Sequence, residues 1–140
     1  MAKGKRTHGR LSIFKGREAK LNYAIFQVLA LKSPQTIYEI FKEVKAQKGL
    51  RHIKYTNVNR RVRMLEENRY IEKVGTRKTQ AGFQAALYQL TLRAYLAILL
   101  YKVDLDNFIQ KASEESIVAM LVAFIQLEFV GSPRYVTYPV

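Results

Sequence analysis

The chain of 140 residues has no cysteine, only three prolines and seven glycines, and 11 acidic residues against 24 lysines and arginines. Without cysteine there is no disulfide framework and no thiolate metal site, and the expected compartment is a reducing cytoplasm. The longest apolar run, Ile117 to Ile125, falls short of the roughly 20 residues a bilayer-spanning helix takes, so no membrane partner is expected. Cations in the first ten residues lead into no apolar signal core, which argues against secretion. The prolines, Pro34, Pro133 and Pro139, punctuate segments, and no internal repeat is visible.

Catalytic constellations are also missing. Ser12, Ser33, Ser113, Ser116 and Ser132 stand in no nucleophile elbow, and no glycine-rich phosphate loop occurs. His8 and His52 are isolated from any cluster at ligand spacing. No enzyme activity, metal or cofactor is therefore expected.

What the sequence has in excess is positive charge, unevenly distributed. Residues 1–93 hold 21 basic and six acidic groups, net +15, while residues 94–140 hold three and five, net −2. A concentrated cationic field attracts a polyanion and gains affinity by releasing condensed counterions, which points first to nucleic acid and second to an anionic membrane surface. The 49% hydrophobic content is ample for a core, and the length suits one domain, or one domain with a helical extension.

Periodicity predicts a mainly helical chain. Leu21, Ala24, Ile25, Val28 and Leu29 mark an amphipathic helix over residues 18–32, and Ser33-Pro34 stops it. Thr36 and Glu39 have capping-box spacing at the head of a second helix, whose stripe is Ile37, Ile40, Phe41 and Val44 and which Gly49 ends. A third helix spans residues 55–67, with Val58, Val62 and Leu65 facing inward. At about 100° per residue its other side carries Thr56, Asn59, Arg60 and Arg63, flanked by Asn57 and Arg61. Residues 70–74 and 83–90 read as two strands around a turn, 75–82, that carries Arg77 and Lys78; Ala86, Tyr88 and Leu90 alternate inward.

This order of parts, with V-N-R-R-V-R-M-L-E-E-N-R-Y-I-E-K (Val58 to Lys73) and L-Y-Q-L-T (Leu87 to Thr91), resembles the winged helix-turn-helix transcriptional regulators of bacteria and archaea, including the MarR-like and PadR-like groups, over about residues 18–91. One departure stands out: Arg69 occupies the place of a glycine that serves a left-handed backbone conformation, and Asn68 is expected to adopt that conformation instead. The resemblance implies a double-stranded DNA partner, with the third helix in the major groove and the wing on the backbone or minor groove. On that reading Asn57, Asn59, Arg60 and Arg63 read bases, whereas Lys54, Tyr55, Thr56 and Arg61 contact phosphates. Asn57 serves equally well as a first-turn capping residue. Arg77 and Lys78 suit a narrow minor groove, and a basic arm, residues 1–17 with Lys3, Lys5, Arg6 and Arg10, orders on DNA.

From Leu92 the chain turns apolar. Residues 92–130 are expected to form helices, capped by Asp104 or Asp106 and by Ser113, ahead of a loose tail over 131–140. Leu92, Tyr95, Leu96, Leu99, Leu100, Ile117, Leu121 and Phe124 are the expected homodimer interface, because exposed apolar area of that size is avoided on soluble monomers. An intramolecular subdomain, a membrane-surface anchor, or a small-molecule effector pocket lined by Tyr95, Tyr101, Phe108 and Phe124 are the alternatives for this region. For the whole chain the expectation is a nucleoid-associated DNA-binding regulator. The alternatives are an architectural DNA- or RNA-binding protein and a winged-helix adaptor between proteins.

Overall fold

The structure, a computed structural model, describes residues 11–130, with side chains as far as Leu127. A short 3-10 turn at Ser12–Phe14 precedes α1 (Ala19–Leu31), α2 (Ile37–Lys45), α3 (Tyr55–Glu67), β1 (Ile71–Lys78), β2 (Gln84–Leu90), α4 (Leu92–Lys102), α5 (Leu105–Lys111) and α6 (Glu114–Val130). Two units follow from the packing, one ending at Lys102 and one beginning at Val103. The first is a winged helix: three helices and then an antiparallel two-stranded hairpin.

The core of this unit is assembled from one stripe of each element. Ile25, Phe26 and Leu29 of α1, Ile40 and Val44 of α2, and Val58, Val62 and Leu65 of α3 are all but completely buried. Ile71, Tyr88 and Leu90 bring the hairpin onto the same core. Burying each such aliphatic side chain stabilises the fold by about 1.5–3 kcal/mol. The capping box is present: Glu39 N–H donates to Thr36 Oγ1 at 3.2 Å, and Thr36 N–H donates to the Glu39 carboxylate at 3.0 Å. Helix α2 ends at Lys45, earlier than the expected stop at Gly49; Gly49 sits in the following turn at φ +86°, where an added Cβ would also collide with Lys20 Nζ.

The boundaries of the basic arm and of the winged helix differ from expectation at both ends. Phe14, assigned from sequence to the arm, is buried and stacks edge-on against Phe26 at 5.7 Å. Asn22 of α1 reinforces this by donating to the Ile13 carbonyl at 2.8 Å. At the other end α4 belongs to the first unit, since Ala94 and Ala97 are buried and Tyr101 lies 4.6 Å from Phe14 and 5.1 Å from Tyr23, centroid to centroid. Small alanines let that helix approach closely, which leaves its large residues pointing outward.

The wing is longer than its sequence suggests. β1 runs on through Gly75, Thr76 and Arg77 to Lys78, and past a bulge at Val74 the register shifts so that Gly75 pairs with Leu87 and Lys78 with Gln84. The turn is only Thr79 to Phe83, with Gly82 at φ +92°. A feature without a sequence signature is the bridge between Gln35 and Tyr88, joined by N–H···O bonds of 3.0 and 2.8 Å in both directions, which ties the approach to α2 onto the wing. Arg77 adds a side-chain tether by donating to the second oxygen of Glu39. Burial pushes the Glu39 carboxyl up, but the Thr36 amide, the Arg77 guanidinium and Lys32 outweigh it, so the net direction is below the ordinary glutamate value.

The turn between α3 and β1 is a Schellman closure: Tyr70 N–H reaches the Leu65 carbonyl and Arg69 N–H the Glu66 carbonyl, both at 2.9 Å. Its left-handed residue is Arg69 itself, at φ +67°, while Asn68 stays at φ −87°. This corrects the assignment to Asn68: the motif's two hydrogen bonds dictate which position turns left-handed, whatever residue stands there.

In the second unit α5 is capped by Asp104, whose carboxylate accepts from Asn107 N–H at 3.2 Å, and the Ser113 hydroxyl accepts from Ser116 N–H at 3.1 Å ahead of α6. None of residues 103–127 is buried. Ile117, Leu121, Val122, Phe124, Ile125 and Leu127 of α6 are all exposed. Among the described residues no helix is long and apolar enough to cross a membrane.

Two outcomes are expected. Arg69→Gly removes a left-handed arginine and should raise the unfolding free energy by about 1 kcal/mol, read as a higher midpoint in urea; an unchanged or lower midpoint contradicts the closure. Because the Glu39 carboxyl titrates lower in the folded state, its contribution is present above the ordinary glutamate range and lost as pH falls through it. Glu39→Gln should therefore flatten that part of the stability-versus-pH curve; a curve parallel to that of the parent chain contradicts the tether.

Candidate nucleic-acid interface

With Val58, Val62 and Leu65 locked inward, the helical repeat points the opposite face of α3 to solvent. Lys54, the N-cap residue, and Tyr55, Thr56, Arg60 and Arg63 are exposed; Asn57 and Asn59 are half-buried. Lys54 makes no side-chain cap, and Asn57 does not cap the first turn either: its Oδ1 accepts from Arg60 at 3.3 Å. Asn59 Oδ1 accepts from Arg63 Nε at 2.9 Å. Each asparagine thus orients an arginine one turn further along, so two planar guanidinium groups are presented in defined directions from one helix face. Pre-orientation reduces the rotamer freedom lost when such a fork engages an acceptor pair.

Arg61 stands apart from this group. Its side chain is only 14% exposed, its guanidinium lies 3.5 Å from Glu18, and its Nε is buried without a hydrogen-bond partner. It is committed to the interior edge between α1 and α3, which departs from the phosphate contact its sequence position suggested. Glu18 also lies 3.9 Å from Arg60, whose side chain remains 57% exposed.

The wing cations differ from expectation in placement. Arg77 and Lys78 sit at the end of β1, not in the turn, whose five residues carry no charge. Arg77 is drawn toward α2 by Glu39, and Lys78 is exposed beyond it. Both line, with Asn59 and Arg63, an open cleft between α2, α3 and the wing. The arm residues Lys3, Lys5, Arg6 and Arg10 lie outside the described residues.

Several residues on this surface had not been singled out from sequence. Met64 and Glu67 border the trough along α3 that also exposes Arg60 and Arg63. Tyr38, which had not been singled out, forms an aromatic cluster with Phe41, read from sequence as part of the α2 stripe, and Tyr55, read as a phosphate contact, Phe41 and Tyr55 meeting edge to face at 5.6 Å. Lys42 and Lys45 lie over the Tyr38 and Phe41 rings at 5.6 and 5.4 Å from the ring centres. Their signal in the sequence was the i, i+4 spacing of an aromatic and a lysine on α2, which lies outside the third helix on which attention fell. At the floor of the cleft Tyr88 is buried, and burial, assisted by Glu66, raises its hydroxyl above the ordinary tyrosine value.

No protein-family model matches this chain, and none of the curated proteins does. Among solved structures it is similar to Streptococcus pneumoniae FabT in a crystal structure of its complex with DNA, at 19% identity over 83% of this chain and 79% of that one, with a TM-score of 0.42. A likeness this distant leaves the role of the present chain to be read from its own residues.

Proposed function

We propose that this protein is a DNA-binding transcriptional regulator that acts as a homodimer and carries out no catalysis. The observation behind this reading is the orientation of α3: its apolar stripe is fully buried, and its free face carries Lys54, Thr56, Arg60 and Arg63 with Asn57 and Asn59. A helix of this diameter fits the major groove, where a guanidinium donates two hydrogen bonds to guanine and an asparagine amide pairs with adenine. Arg60 and Arg63 are the proposed base readers. Lys54, Tyr55 and Thr56, at the start of the helix, meet phosphates.

The wing contributes backbone contacts through Lys78 at the end of β1. Arg77 reaches the backbone or minor groove by exchanging its Glu39 partner for a phosphate.

The partner for the apolar helices is proposed to be a second copy of the chain. Leu92, Leu96 and Leu99 of α4 are 87, 55 and 60% exposed, and Ile117, Leu121 and Phe124 of α6 are 36, 55 and 56% exposed. Tyr95 and Leu100 complete the α4 surface. An isologous pairing buries the same patch twice and sets two copies of α3 on two half-sites. The few cations on α5 and α6 make a lipid surface a poor alternative.

Two measurements test these proposals. With sites selected from random duplexes, Arg63→Ala should cost about 1–3 kcal/mol on the selected site and relax discrimination, whereas Lys54→Ala should weaken all duplexes alike and reduce the salt slope by about one. Uniform loss for both variants, or no enriched site, points instead to an architectural protein. In sedimentation velocity the parent chain should run as a dimer and Leu121→Asp/Phe124→Asp as a monomer; a monomeric parent chain removes the dimer from the account.

A further inference from the structure

The duplex contacts proposed above leave Tyr38 and Lys42 of α2 and Gln84 of β2 without a role, although they line the same cleft as Arg63. There, between α2, α3 and the wing, the cleft encloses about 860 Å³. Its walls carry three different chemistries. Tyr38 and Tyr55 supply aromatic rings, 58 and 39% exposed as residues, with centroids 6.5 Å apart and planes inclined at 47°. Lys42, Arg63 and Lys78 supply cations, and Asn59 and Gln84 supply amides that both donate and accept.

A double helix has little use for this combination. Its bases turn their faces only to one another and expose edges in the grooves, so a protein ring meets at most a methyl group, a sugar or a phosphate oxygen. An unpaired nucleotide, by contrast, needs all three groups: a ring for the face of the base, amides for its Watson–Crick edge and a cation for its phosphate. Tyr55 is already braced by the edge of Phe41 at 5.6 Å, and Lys42, which lies over the Tyr38 ring, uncovers that face for a base when it moves to the phosphate.

We propose that this cleft takes a single unpaired nucleotide of DNA, its base stacked on Tyr38 and its phosphate held by Lys42, next to the duplex that α3 engages. The inference rests on the nucleic-acid reading given above, and it adds a preference for distorted or locally opened duplex. Such sites need little unstacking energy, because the nucleotide is already out of the stack.

The test is fluorescence anisotropy with the full chain and three probes of one sequence: a perfect duplex, the same duplex with a one-nucleotide bulge, and that duplex with an abasic residue in the bulge. The readout is the affinity ratio between bulged and perfect probes. The parent chain should prefer the bulge by about five- to tenfold, a modest fraction of what one stacked base provides, and should lose that preference on the abasic probe. Tyr38→Ala should bring the ratio to one, while Tyr38→Phe, which keeps the ring and loses the hydroxyl, should retain it. Equal loss in both variants assigns Tyr38 a hydroxyl contact to phosphate and overturns stacking. A ratio of one in the parent chain, with the perfect duplex still bound, overturns the cleft and leaves duplex binding standing; no binding to any probe overturns both.

Discussion

The burial of three side chains on one helix governs the rest of the molecule. Val58, Val62 and Leu65 are withdrawn from water against α1 and α2, and α3 has no rotational freedom left once they are in place. Rotating the helix by one residue, about 100°, would bring Asn59 or Arg63 into an apolar core at a cost of several kcal/mol. The outward direction of the arginines is thus a consequence of packing. It holds whether or not DNA is present.

Acidic residues are scarce in the first unit, and the structure places two of them where they discipline cations. Glu18 draws Arg61 out of solvent, and Glu39 fastens the wing to α2 while completing its capping box. Neither pair contributes much stability, since exposed ion pairs are typically worth under about 1 kcal/mol. Their effect is on geometry: of the arginines on α3, Arg60 and Arg63 face outward and Arg61 does not. Arg77 is held against α2 by the Glu39 carboxylate.

The helical framework was legible in the sequence because local periodicity and capping carry it. Helix α3 begins and ends where its pattern predicts, and the Thr36–Glu39 box forms as read. The misreadings share one cause, a tertiary partner distant in sequence. A helical wheel places Arg61 on the flank of α3 but is blind to Glu18, 43 positions earlier. Phe14 sits among cations and reads as part of a tail until Phe26 and Tyr101 are seen around it. Past the bulge at Val74 the register shifts, which composition does not encode, and β1 runs on to take Arg77 and Lys78 out of the turn. Propensity favoured Asn68 for the left-handed residue, yet the hydrogen-bond pattern of the closure chose Arg69.

Charge and hydrophobicity are segregated along this chain, and the segregation has a physical logic. Residues 1–93 carry a net charge of +15, and self-repulsion of that size opposes compaction until a polyanion neutralises it. The second unit holds two basic and five acidic residues, net −3, and contributes no buried side chain among its described residues. Two copies brought together would bury the exposed leucines of α4 and α6, and would also double the local cation density. On the proposed reading, in which two copies share one duplex, counterions released from both half-sites would couple the pairing of chains to the binding of DNA through linkage. The chain thus concentrates positive charge in its first 93 residues and leaves apolar side chains of α4 and α6 exposed, and the proposed pairing of two copies on one duplex is the arrangement that would answer both.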